Sequence, residues 1–268
     1  VVIKEVELSY EDGDLIDYTG DRVLKPKFWT VEYSIAKHLN NLVISRTCPN
    51  FLLTYDLGLC NKCRDSGAQC TMMFMEPASF DLAFLFKERA IGPASQLSLL
   101  AQLLIALHYV HATFQIAHRD IKPENILIAE TPALAKTLFK YEIKGMNETF
   151  LIENTGLVLY LTDFGVADKA TTRLNYGNDV LDCIRTFLGT ASVMNKRASQ
   201  PGAHKGYRLL YRELSDVLEE VNHKEVNLNK VVDFENQEYL LNPVLCLRKI
   251  LTNLKYTAPI LPISNTFE

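Results

Sequence analysis

The run His118-Arg119-Asp120-Ile121-Lys122-Pro123-Glu124-Asn125 places a carboxylate, an ammonium and an amide oxygen in one short segment. Asp163-Phe164-Gly165 follows, with Asp163 lying 38 residues after Asn125. Phosphoryl transfer from ATP needs a carboxylate beside the acceptor hydroxyl, a cation for the moving group, and hard oxygen ligands for Mg²⁺. Asp120, Lys122, Asn125 and Asp163 supply that set. A second group is Cys60-x-x-Cys63, with Cys70 close behind. Zinc takes four S or N ligands in a tetrahedron, and Cys48 or His38 is the candidate fourth. Three cysteines in a strand-to-strand turn also read as free thiols, because their number falls short of a complete site.

The elements that must position these groups are legible as patterns. Val1-Val2-Ile3-Lys4 is β-branched and reads as a strand, while residues 9–27 are polar and read as a loop insertion. Trp29 to Ile44 has helical spacing, with Ile35, Leu39 and Leu42 on one face. Phe51 to Tyr55 and Thr71 to Met75 read as strands flanking the cysteine cluster. Leu97, Leu100, Leu104, Leu107 and His111 recur at three and four residues, which predicts a buried amphipathic helix. The octapeptide therefore follows a helix and precedes a short strand, Asn125 to Ile128; Leu157 to Thr162 reads as another. Between these strands, Tyr141 to Gly145 and Phe150 to Ile152 suggest a hairpin, and the chain from Asn178 onward is helical by pattern. A break near residues 77–79 divides a strand-rich part from a helix-rich part.

The octapeptide followed by Asp163-Phe164-Gly165 resembles the catalytic loop and metal-binding motif of eukaryotic-type Ser/Thr protein kinases. The resemblance implies an α+β, bilobal fold, with a strand-rich small lobe over residues 1–78 and a mainly helical large lobe over residues 79–268. It implies Mg²⁺-assisted (or Mn²⁺-assisted) phosphoryl transfer from ATP to Ser/Thr hydroxyls of a protein substrate. Asp120 becomes the base that orients the acceptor hydroxyl, and Lys122 the residue typical of Ser/Thr kinases. Asn125 and Asp163 become the metal ligands, and His118 a structural residue. Lys4 takes the role of the phosphate-contacting strand lysine, with Glu32 as its helix partner. Cys48-Pro49-Asn50-Phe51 resembles the turn that follows that helix. Met75 becomes the gatekeeper, and the Glu76 carbonyl and Ala78 N–H the groups that face adenine.

The pattern also departs from the family. No glycine-rich loop precedes Lys4, and the chain starts inside a strand, so the sequence is expected to lack its natural N-terminus. Only 13 residues separate Gly165 from Asp179, which resembles the buried aspartate that opens the central helix and braces the catalytic loop. That interval has no room for a long activation loop, so Arg119, which pairs with an activation-loop phosphate in this family, is expected to have none. Thr171 and Thr172 are the candidate phosphosites there. The long insertion before Asp163 and the short segment after it look like divergent kinases of large DNA viruses. A small-molecule kinase on the same fold and a pseudokinase interaction module are the alternatives. Lys122 argues against the first, and the retention of Lys4, Asp120, Asn125 and Asp163 against the second.

Composition sets the outer bounds. The chain has 268 residues, 48% hydrophobic and 22% charged, which excludes disorder, collagen and coiled coil. A net charge of −4 gives no electrostatic case for nucleic acid or an anionic membrane as partner. The apolar stretch Leu99 to Leu107 is interrupted by Gln102 and is shorter than a bilayer span. Six scattered or clustered cysteines do not form a disulfide scaffold, and no secretion signal is present, so an intracellular, cytoplasmic setting is expected, in a host cell or virion if viral.

Overall fold

Apolar and β-branched residues near the start favour extended chain, and three antiparallel strands form there: β1 (Val2–Glu7), β2 (Thr54–Cys60) and β3 (Cys70–Met75), in the order β1-β3-β2. These coordinates are a computed structural model, which describes residues 1–7, 31–60, 70–169, 173–197, 201–225, 242–260 and 263–264. The register sets Lys4 opposite Met73 and Val2 opposite Met75. Helix α1 (Val31–Ile44) packs against β2, and its Ile35 and Leu39 are buried in the core. The strand expected at Phe51 starts instead at Thr54. Phe51 and Leu52 turn into the core, and the Asn40 side chain clamps Thr54 at both backbone groups, at 2.7 and 2.9 Å.

Past β3 come β4 (Phe80–Asp81), α2 (Leu82–Glu88) and the long α3 (Pro93–Phe114). Pro93 sits at the first helical turn, where its missing N–H costs nothing, and Gln115 at φ 56° closes the helix in the left-handed region. Sequence spacing predicts an amphipathic helix, but α3 is buried nearly all round, with Leu99 to Leu107 each at 0% exposure. By length and composition α3 could cross a bilayer, which corrects the reading from the shorter apolar stretch. Here it is the core helix, covered by the elements at Glu148–Asn154, Leu157–Leu161, Arg173–Arg197 and Pro243–Asn253. Truncating a central leucine such as Leu103 to alanine should cost about 2–5 kcal/mol.

After α3 the chain forms β5 (Ile116–Ala117), a 3₁₀ turn at Pro123–Asn125, and β6 (Ile126–Glu130). Asn125 is thus in a turn rather than at the head of a strand. The insertion forms a hairpin longer than the pattern suggested, β7 (Thr137–Ile143) with β8 (Glu148–Asn154). Strand β9 (Leu157–Leu161) pairs with β6, and β10 (Asp168–Lys169) pairs with β5. Helix α4 (Arg173–Arg197) begins upstream of Asp179, so this aspartate lies inside the helix and does not open it. Helix α5 (Pro201–Glu225) packs on α4, and α6 (Pro243–Asn253) packs on α3. Short β11 (Ile263–Ser264) adds to β7 in parallel.

Candidate active site

Two strands and a helix bring distant charges to one point. Lys4 Nζ on β1 lies 2.5 Å from Glu32 Oε1 on α1 and 3.0 Å from Asp163 Oδ1, just past β9. Burial pulls the Lys4 ammonium down, but Glu32 and Asp163 together reverse this and hold it above the ordinary lysine range. Burial pushes the Glu32 carboxyl up against the opposing pull of Lys4. Asp163 has φ 63°, a left-handed conformation that short polar residues tolerate better than most. The next residue but one is Gly165, where an added Cβ would meet Asp163 Oδ1 at 3.3 Å. Glycine therefore lets the chain pass close behind the carboxylate. Phe164 is buried, its ring 4.8 Å from that of His118.

A second cluster is built locally. Asp120 Oδ2 accepts from Lys122 Nζ at 2.6 Å and from Asn125 Nδ2 at 2.8 Å. The Lys122 ammonium, helped by Asn125, holds the Asp120 carboxyl below its usual range, so it stays ionised. Asn125 Nδ2 also donates to the Asp120 carbonyl at 2.9 Å, which fixes the amide with its oxygen turned away from Asp120. The two clusters are joined through the backbone: Thr162 donates its N–H and its hydroxyl to the Asn125 carbonyl, at 3.1 and 2.9 Å. Thr162 immediately precedes Asp163.

The loop itself is held from below. Asp179, 1% exposed, accepts from the His118 N–H at 2.7 Å, the Arg119 N–H at 2.8 Å and His111 Nε2 at 2.9 Å. These bonds hold Arg119 at φ 69°, a strained backbone for a non-glycine residue. His118 Nε2 faces the Thr162 carbonyl at 2.9 Å, while Nδ1 accepts from the Asp120 N–H at 3.3 Å. One ring nitrogen donates and the other accepts, as in a neutral imidazole, and burial lowers the His118 pKa accordingly. His111 is a bracing residue that sequence reasoning missed. Arg119 lies 3.5 Å from Asp168 Oδ2 in an exposed ion pair. Thr171 and Thr172 fall outside the described residues.

Met75 ends β3 beside Val2 and Thr54, on the strand that also faces Lys4. The Glu76 side chain turns back to accept the Leu53 N–H at 3.1 Å, and its own N–H donates to the Leu53 carbonyl at 2.9 Å. Among the described residues, neither the Glu76 carbonyl nor the Ala78 N–H has a backbone partner. Both remain available to a planar ligand edge.

Cys60 and Cys70 are register partners at the ends of β2 and β3, and Cys63 lies outside the described residues. Cys48 is fully buried, its thiol points at Asn50 Oδ1 at 3.7 Å, and burial pushes its pKa to about 12. His38 Nδ1 donates to the Ser34 carbonyl of its own helix, at 2.6 Å.

Among the described residues no group of three or more His, Cys, Asp or Glu could hold a metal. A site of one carboxylate, Asp163, and one amide oxygen, Asn125, fits a hard cation that takes its remaining oxygens from phosphates and water. A protein kinase domain model matches residues 59–197, a span that contains Asp120, Lys122, Asn125 and Asp163 but neither Lys4 nor Glu32. A probable serine/threonine-protein kinase of Invertebrate iridescent virus 6 is 31% identical over 63% of this chain and 33% of its own length. A putative serine/threonine-protein kinase of Frog virus 3 is 31% identical over 48% of this chain and 16% of its own. A probable serine/threonine-protein kinase of Schizosaccharomyces pombe is 38% identical over 34% of this chain and 12% of its own. The chain spans a third or less of the length of these relatives. With a kinase-domain match over half its length, the chain belongs to the protein kinase family as a divergent eukaryotic-type member.

Proposed function

We propose that the chain transfers the γ-phosphoryl group of ATP to Ser/Thr hydroxyls of a protein substrate, with Mg²⁺ or Mn²⁺ as the metal. The observation that carries this reading is the bridge from Lys4 to both Glu32 and Asp163, set beside the Asp120–Lys122–Asn125 cluster. Lys4 contacts the α- and β-phosphates, and Glu32 keeps its ammonium on station. The Glu76 carbonyl and Ala78 N–H hold the adenine edge, with Met75 closing the back of that pocket. Asn125 and Asp163 would hold the metal, which would supply positive charge to the phosphates. Asp120, kept ionised by Lys122, orients the acceptor hydroxyl rather than storing its proton. Lys122 then offers its ammonium to the transferred group.

A small hydroxyl acceptor is the second reading, favoured by the short span from Gly165 to α4 at Arg173, which leaves little platform for a peptide. An intracellular, cytoplasmic location belongs to the same proposal, supported by the free buried thiols of Cys48, Cys183 and Cys246. The test is transfer of label from [γ-³²P]ATP to a protein mixture and to a panel of small hydroxyl compounds, with Mg²⁺ and with Mn²⁺. Labelled protein is the expected result; label confined to a small molecule would replace the protein-substrate reading, and no transfer to either would favour an interaction module.

A further inference from the structure

The β7–β8 hairpin takes no part in the proposed reaction, yet it reaches the middle of the molecule. Phe139, Tyr141 and Ile143 alternate along β7 and all face the core. Tyr141 carries a hydroxyl with it, and at 1% exposure that group needs a partner inside. It donates to Asn50 Oδ1 at 2.9 Å. Asn50 is 0% exposed and sits in the turn between α1 and β2. Its Nδ2 donates to Gln102 Oε1 on α3 at 3.1 Å and to the Leu159 carbonyl on β9 at 2.8 Å. Its backbone carbonyl accepts the Leu161 N–H at 3.0 Å. One residue therefore joins the exit of α1, the centre of α3, and the strand that ends just before Asp163.

The partners fix which way the Asn50 amide points. Gln102 Oε1 also accepts the Leu159 N–H at 2.9 Å, so a flipped Asn50 would set oxygen against oxygen. The remaining donor to Asn50 Oδ1 is the Cys48 thiol at 3.7 Å, a weak one. Without the Tyr141 hydroxyl, a buried amide oxygen would keep only that thiol. The hairpin is itself held from the far side. Arg248 on α6 makes two bonds to the Glu148 carboxylate, at 2.7 and 2.6 Å, and the Tyr256 hydroxyl accepts the Glu153 N–H at 3.1 Å.

We propose that Tyr141 is a positioning residue for phosphoryl transfer: through Asn50 it holds the exit of α1 and strand β9 in one register, so that Glu32 and Asp163 converge on Lys4. The proposal rests on the kinase reading above and adds to it a residue from the inserted hairpin. A merely structural tyrosine would lower the melting temperature and leave the site geometry alone.

The test compares Tyr141→Phe, which keeps the ring and loses one donor, with Arg248→Ala, which loosens the same hairpin away from Asn50. Amide hydrogen exchange on the full chain reads the coupling without turnover. In Tyr141→Phe the Leu161 and Cys48 amides should exchange at least about fivefold faster, the effect of losing one net hydrogen bond. In Arg248→Ala these amides should stay within about twofold of wild type, since the lost pair is exposed. In transfer assays kcat of Tyr141→Phe should fall about fivefold to tenfold with the acceptor KM unchanged, as when a transition-state arrangement is lost. Unchanged exchange at Leu161 would overturn the proposal, and so would an equal kcat loss in both variants. A wild-type chain that transfers no phosphate would sink the kinase reading alone, because the exchange arm still decides the coupling.

Discussion

Two polar clusters are joined through the bonds from Thr162 to the Asn125 carbonyl, and they are assembled by opposite means. Asp120, Lys122 and Asn125 lie within one turn of chain, and their contacts span two and five positions. Lys4 reaches Glu32 across 28 positions and Asp163 across 159. The first cluster forms wherever Asp179 holds the loop. The second exists only while β1, α1 and β9 all sit in native register. Burial differs in the same sense: the Glu32 side chain is 9% exposed and that of Lys122 is 47%. The lesson is that the Asp120–Lys122–Asn125 cluster is a property of a loop, whereas the Lys4–Glu32–Asp163 cluster reports the packing of several elements.

The largest way to break the comparison is at the residue that ends both routes. Asp163→Asn should lower transfer by at least about a thousandfold, roughly 4 kcal/mol of transition-state stabilisation, while the fold stays intact. Asparagine tolerates the left-handed backbone at this position, so the loss is one of charge and metal affinity. Rates measured over a Mg²⁺ titration check this; wild-type activity at limiting Mg²⁺ would remove Asp163 from the metal site.

Next comes Glu32→Gln, which should cost about 10- to 100-fold, or ~1.4–2.7 kcal/mol, by letting Lys4 drift. It also separates the clusters by pH. Burial holds Glu32 above its ordinary 4.5, while Lys122 holds Asp120 below its ordinary 3.8. On acidification Glu32 takes its proton first, and Asp120 is still ionised. Transfer should therefore fall on the acid side through Glu32, and that limb should be missing in Glu32→Gln. Lys4 gives the opposite sign for stability: its folded pKa is raised, so its contribution is full below about 10.5 and is lost as pH rises through the folded value. Melting curves of wild type and Lys4→Met should converge above that pH.

A smaller effect is expected at Gly165. Its Cβ in Gly165→Ala would press on Asp163 Oδ1 at 3.3 Å, so transfer should drop about tenfold through a raised Mg²⁺ requirement. A loss that extra Mg²⁺ does not relieve would place the strain elsewhere.

The smallest effect is expected where the family usually has its switch. Arg119 already faces the carboxylate of Asp168, and α4 begins at Arg173, so little chain is left to order. Phosphatase treatment, or a Thr171→Ala, Thr172→Ala double change, should leave the rate within about threefold, or ~0.65 kcal/mol. A hundredfold drop restored by autophosphorylation would show a switch after all.

The sequence by itself determined the local chemistry. Asp120, Lys122 and Asn125 were legible because loop spacing alone brings them together, and the pattern of Tyr141 to Gly145 and Phe150 to Ile152 was enough to suggest a hairpin, though not its full length. Gln102 stood out as one polar residue in an apolar run, but nothing in that run names its partners. Only the tertiary structure decided that Cys48 is a core thiol, that α4 starts before Asp179, and that Tyr141 meets Asn50. The same holds for Lys4 with Glu32 and Asp163, whose meeting depends on three elements packing at once. Periodicity records which face of an element is apolar, because burial is local and additive. It does not record which donor will face which acceptor, because that choice is made only when separate faces close on one another and each buried polar group must find a partner.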